Sequence, residues 1–154
     1  MLNIIALPAF SSNYIWILYN AKNCIAVDPG DSNIVNNFLQ QHNLTLTAIL
    51  VTHHHWDHIG GIAKLHKLHP NIKIYAPYSN KINTVTHRLQ QNDILKFVDL
   101  SLNFKIIATP GHNLDHIIYY DQQQQILFCV DTLFSAVCGK MFEGNAKKFH
   151  HSLT

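Results

Sequence analysis

The chain has 154 residues, 47% of them hydrophobic, and its 11 basic and 9 acidic side chains give a formal net charge of +2. That composition excludes a wholly disordered chain, and so weak and scattered a charge excludes an electrostatic nucleic-acid binder. Charged residues make up only 13%, about half the usual share, and 15 Asn and 8 Gln fill the polar quota instead.

The length suits one domain with a single core. Apolar runs at residues 3–7 (NIIAL) and 14–19 (YIWILY) predict two strands. Residues 24–27 (CIAV) predict a third, stopped by the turn signal Asp28-Pro29-Gly30. Over residues 34–42, Ile34, Val35, Phe38 and Leu39 fall at helical spacing. Residues 44–51 (LTLTAILV) predict the next strand. Residues 59–69 then place Ile59, Ile62, Leu65 and Leu68 on one helical face, ending before Pro70. Short strands are expected at 72–75 and 94–98. Residues 104–108 (FKIIA) end at Thr109-Pro110-Gly111, and strands at 117–120 and 126–130 flank a hairpin tip of four glutamines. A last helix is expected from Asn145. Strands and helices alternate first, and a run of strands follows. The fold class implied is α/β (α+β), with ligand-bearing loops at the C-terminal ends of strands.

Three cysteines, Cys24, Cys129 and Cys138, form neither a CxxC pair nor an even set, so neither a disulfide framework nor a cysteine zinc site is expected. The N-terminus has no basic stretch before its apolar run, so no signal peptide is read there. No apolar run reaches membrane-spanning length. The expectation is a soluble cytoplasmic protein that binds neither nucleic acid nor membrane.

Twelve histidines are the anomaly, and four of them lie within Thr52-His53-His54-His55-Trp56-Asp57-His58-Ile59-Gly60-Gly61. In extended backbone, residues two apart point the same way, so His53 and His55 can grip one ion together. Asp57 and His58, where the chain turns into the next helix, can face a second. Imidazole and carboxylate suit zinc, iron or manganese rather than calcium. His54 has the wrong parity to join its neighbours and is expected to support them or to be exposed. After FKIIA, the Pro-Gly turn presents His112, and after ILFCV a carboxylate, Asp131, stands at the equivalent place. His53, His55, His112 and Asp131 complete a four-ligand set, with Asp131 able to bridge to an ion held by Asp57 and His58. Alone, a His after Pro-Gly is ordinarily structural, and an Asp after a strand is ordinarily a turn former or helix cap. Their order behind the first cluster is what gives them weight. His116 is expected to support the shell. His42, His66, His69, His87, His150 and His151 are expected to be exposed.

THHHWDHIGG resembles the T-H-x-H-x-D-H signature of the metallo-β-lactamase superfamily, and His112 and Asp131 follow in that superfamily's order. LPAFSSNYIWIL, CIAVDPGD and DTLFSAVCGKMFEG further resemble hydroxyacylglutathione hydrolases (glyoxalase II), so the likeness runs over essentially the whole chain. The resemblance implies an αββα sandwich over residues 1–154, the N-terminal part of the family's full length. It implies two divalent metal ions, zinc first, with iron or manganese as alternatives. His53, His55, His112 and Asp131 would hold one ion, and Asp57, His58 and Asp131 the other. Asp57 is the catalytic candidate, orienting the attacking hydroxide. Lys140, Met141 and Phe142 match the stretch that contacts glutathione. The implied activity is metal-dependent hydrolysis of S-D-lactoylglutathione and related 2-hydroxyacyl thioesters, in methylglyoxal degradation, by a protein that is a monomer if full length.

Asn113 stands where the family usually reads Thr, and Met141 replaces a usual aromatic. The chain stops at Thr154, before the family's G-H-E-Y-type segment and C-terminal helical domain. An incomplete sandwich without the last ligand of the second metal is therefore expected. Two alternative functions follow: a superfamily hydrolase with a lactone, lactam or phosphodiester substrate, and a truncated metal-binding remnant without activity.

Overall fold

The computed structural model describes residues 1–111 and 113–129, and the backbone of two short strands beyond them. Strand β1 (Asn3–Ala9) pairs antiparallel with β2 (Asn13–Tyr19), and β2 with β3 (Asn23–Val27). Helix α1 (Ser32–His42) then carries the chain to β4 (Thr45–Leu50), which lies parallel to β3. Asp31 caps α1 by accepting the Asn33 N–H at 2.9 Å, and Asn43 closes it in the left-handed conformation. Helices α2 (Trp56–Ile59) and α3 (Ile62–Leu68) lead to β5 (Lys73–Pro77), and a loop leads to β6 (His87–Leu89), both parallel additions. These six strands lie in sequence order in one sheet.

The second sheet is antiparallel, in the order β10 (Ile126–Phe128), β9 (Ile117–Asp121), β8 (Leu102–Ala108), β7 (Ile94–Phe97). A 3₁₀ turn (Val98–Leu100) joins β7 to β8. Strands β11 (Leu133–Phe134) and β12 (Val137–Cys138) form a separate antiparallel ribbon.

The period of two along each strand builds two cores. Ile17, Ala26, Ile49 and Ile74 pack with Val35, Phe38 and Leu39 of α1 and with Ile62 and Leu65 of α3. Their neighbours Leu18, Ile25, Val27, Leu50 and Tyr75 point the other way, against Phe104, Ile106, Tyr119 and Phe128 of the second sheet. The described layers are thus helices, sheet and sheet, three of the four layers of the expected αββα sandwich.

Three expectations need correction. The helix over residues 59–69 is two helices, broken at Gly60-Gly61. A Cβ on Gly61 would sit 2.5 Å from the Pro29 carbonyl oxygen, so the chain bends where only glycine admits the β3–α1 turn. The strand β6 was not expected. Its sequence, HRL, has no apolar pattern, and it is held by tertiary bonds: Arg88 donates to the carbonyls of Pro77, Ser79 and Ile82. Finally, His66 and His69 are half-buried rather than exposed. His69 Nε2 meets Asn36 Oδ1 at 3.0 Å, and burial lowers its pKa. The helix expected from Asn145 lies outside the described residues, as do His150 and His151.

Candidate metal centre

Parallel pairing sets the C-terminal ends of β3 and β4 side by side. Asp28 leaves β3 on left-handed backbone (φ 50°), which turns its carboxylate into the sandwich instead of along the strand. There it is buried and meets the start of the next loop. It accepts the Thr52 N–H at 2.8 Å and the Thr52 hydroxyl at 2.6 Å, and His58 Nδ1 stands 3.1 Å away. The Thr52 hydroxyl in turn faces His53 Nδ1 at 2.9 Å. A hydroxyl that donates to Asp28 accepts from His53, so both rings carry their proton on Nδ1, and Nε2 holds the lone pair.

The rings gather around His53, which is fully buried. Its centroid lies 4.8 Å from His55, 4.4 Å from His58 and 4.9 Å from His116, the last in a stacked pair. His116 comes from the loop that enters β9 of the second sheet, oriented by Thr109 Oγ1 at 3.0 Å from its Nδ1. Two hydrogen bonds clamp the two sheets here: Ile117 N–H donates to Thr52 O, and the Tyr119 hydroxyl donates to Val51 O at 2.7 Å.

Asp57 lies in the first turn of the short helix α2. Its Oδ2 accepts from the Asn13 amide at 2.8 Å and lies 3.3 Å from His58 Nε2. His58 beside it is the main cause holding this carboxyl far below the usual carboxylate range; burial opposes that, and the Asn13 bond adds to it. His54 turns away from His53 and His55 and is not exposed. Its Nδ1 bonds Asp115 Oδ2 at 2.8 Å, with both side chains largely buried. Asn113, fully buried, donates toward His55 Nε2 at 3.0 Å and His54 Nε2 at 3.4 Å.

The hairpin tip between β1 and β2 overhangs this loop. Phe10 adopts φ 52°, a left-handed conformation that costs about 1–2 kcal/mol for a residue with a Cβ. Its ring meets that of Trp56 at 5.1 Å.

The donor set fits a divalent cation. Donor atoms of Asp28, His53 and His58 lie within 4.8 Å of one another. Asp28 is nonetheless spoken for, because its oxygens already serve the Thr52 amide, the Thr52 hydroxyl and His58. It acts as the outer carboxylate of a carboxylate–histidine pair and orients the ring. His58 supplies the sharper test: its two nitrogens each face a carboxylate, Asp28 and Asp57. A neutral imidazole can donate to only one, and a cation beside Nε2 and Asp57 resolves the conflict.

Of the residues picked out from the sequence, His53 and His55 lie in the loop after β4, and Asp57 and His58 in the short helix α2 that it enters. His112, Asp131, Lys140, Met141 and Phe142 lie outside the described residues. Two participants were missed. Asp28 was read only as a turn former, although it ends a strand in the same way as the expected ligand loops. Asn13 gave no signal, because its role depends on how the first hairpin folds over α2.

The model of the metallo-beta-lactamase superfamily matches residues 7–154, and the chain belongs to that superfamily. Within it, the chain is 46% identical to hydroxyacylglutathione hydrolase 2 of Vibrio vulnificus (strain YJ016) over 99% of its own length. The hydroxyacylglutathione hydrolase of Legionella pneumophila (strain Paris) is also 46% identical over 99% of the chain. The chain spans 60% of the length of each of these relatives. Among solved structures, the BLEG-1 B3 metallo-beta-lactamase superposes with a TM-score of 0.85 at 25% identity, covering 98% of this chain and 83% of that one. ETHE1 from Myxococcus xanthus gives 0.81 at 25% identity, covering 99% of this chain and 68% of its own. No helix among the described residues is long and apolar enough to cross a membrane.

Proposed function

We propose that the chain hydrolyses glutathione thioesters of 2-hydroxy acids, S-D-lactoylglutathione among them, to the hydroxy acid and glutathione. The observation that carries this is 46% identity, over 99% of the chain, to enzymes named hydroxyacylglutathione hydrolase. The buried imidazole and carboxylate set supports it, since hydrolysis in this site needs no protein nucleophile.

In this reading His53, His55, His112 and Asp131 would hold one divalent ion, and Asp57, His58 and Asp131 a second. Zinc is the first choice and iron or manganese the alternatives. When bound, such ions would supply Lewis acidity toward the thioester carbonyl and the attacking water. The chain's own residues do the rest. Asp28 and Thr52 fix the rings of His58 and His53 by their Nδ1 atoms. Asp57, itself held by Asn13, orients the water with its carboxylate. Lys140, Met141 and Phe142 receive the glutathione half, the lysine pairing with a glutathione carboxylate. The acyl carbon gains the hydroxyl, the C–S bond breaks, and the sulfur leaves as glutathione thiol. A monomer working in the cytoplasm on methylglyoxal-derived thioesters completes the proposal.

The test is hydrolysis of S-D-lactoylglutathione by the zinc-loaded chain. Turnover that His53→Ala abolishes upholds the reading. Turnover of a lactam without the thioester moves the chain to another branch of the superfamily, and folded chain inert toward both is a metal-binding remnant.

A further inference from the structure

Beside the metal-binding loop stands a patch of aromatic surface that the reaction as derived does not use. Phe10 is 46% exposed and Trp56 68%, and their rings meet. The patch is tied to the site twice. Trp56 lies between His55 and Asp57 in the chain, and the hairpin that carries Phe10 is bonded to Asp57 through Asn13. Phe10 holds a backbone conformation that suits glycine better, yet it keeps its ring against Trp56. Exposed apolar area and backbone strain meeting at the rim of a polar centre point to a ligand wall.

We propose that Phe10 and Trp56 form the acyl subsite. They select 2-hydroxyacyl groups that carry an aryl or bulky alkyl substituent over the small lactoyl group. This rests on the thioester reading above. Charge assigns the half of the substrate. The hairpin stretch AFSSNYIW holds no lysine or arginine, so it offers nothing to the carboxylates of glutathione. Its rings suit an uncharged substituent instead, and the acyl substituent sits two bonds from the carbonyl that reacts beside Asp57. Ring-on-ring contact then adds to simple burial.

The experiment needs no turnover. D-lactate and D-mandelate differ only in a methyl against a phenyl substituent and correspond to the acid product. Their binding to the zinc-loaded chain is measured by calorimetry. Mandelate is expected to bind about tenfold tighter. Phe10→Gly and Trp56→Ala are each expected to bring the two acids within about twofold of one another. Phe10→Gly also relieves the left-handed strain, so an undiminished melting temperature separates a lost wall from a lost fold. Equal affinities in the unaltered chain, binding of neither acid, or a preference that survives both substitutions each overturn the proposal. Hydrolysis of S-D-lactoylglutathione by the same preparation keeps the two readings apart. Mandelate preference without hydrolysis upholds the wall and sinks the function, and hydrolysis without the preference does the reverse.

Discussion

The two sides of the histidine cluster are anchored differently. On the first-sheet side, His53 and His58 are fixed by a buried carboxylate and hydroxyl that belong to adjacent parallel strands. Asp28 and Thr52 are 24 positions apart but share one hydrogen-bonded ladder. On the second-sheet side, His55 and His54 lean on Asn113 and Asp115, residues of a loop that reaches across from β8. One side is built into sheet backbone, and the other is a contact between two loops. The first is rigid by construction, and the second gives way more cheaply.

That contrast can be broken from either side. Asp28→Ala strands the Thr52 amide and hydroxyl and leaves His58 unguided. Unfolding of the metal-free chain in urea is expected to show a loss of about 3 kcal/mol. Zinc affinity, read by competition with a chelating dye, falls about 10- to 100-fold. Next in size is Gly30→Ala, on the same side. Its Cβ would run into the backbone carbonyl of Asp57, so α2 must shift, at about 2 kcal/mol by the same urea titration. Asp115→Asn acts on the loop side, where it weakens only the His54 contact. About 1 kcal/mol and less than a tenfold change in zinc affinity are expected. An Asp115→Asn effect as large as that of Asp28→Ala would erase the distinction.

The smallest effect concerns the floor beneath the rigid side. Cys24 is fully buried in the core under α1, and burial pushes its thiol up to about 12. The folded chain therefore keeps the thiol protonated, while the unfolded chain ionises it from about pH 8.5. This group's contribution to stability is whole below that pH and drains away as pH rises toward 12. At pH 8, peptide mapping after iodoacetamide should find Cys24 unmodified in the folded chain and alkylated in urea.

Much of this architecture was legible. The strands with long apolar runs, such as YIWILY and LTLTAILV, announce themselves because both of their faces are buried, and both cores draw on them. The histidine loop was legible because four potential ligands crowd six positions after such a strand. What escaped depends on distant partners. β6 has no pattern of its own and exists through Arg88 and its pairing with β5. The break at Gly60-Gly61 is imposed by the β3–α1 turn, some thirty positions earlier. Asp28 looked like an ordinary turn residue because its left-handed backbone, which aims the carboxylate inward, leaves no trace in a single sequence.

The Tyr119 hydroxyl has a consequence for the order of events during synthesis. It reaches back 68 positions to the Val51 carbonyl, at the mouth of the histidine loop. A chain emerging from the ribosome presents that loop well before the strand that fastens it. His53 to His58 therefore wait in a half-built sandwich until β9 has been made and has docked. The seat for a metal is among the last parts of the described fold to close.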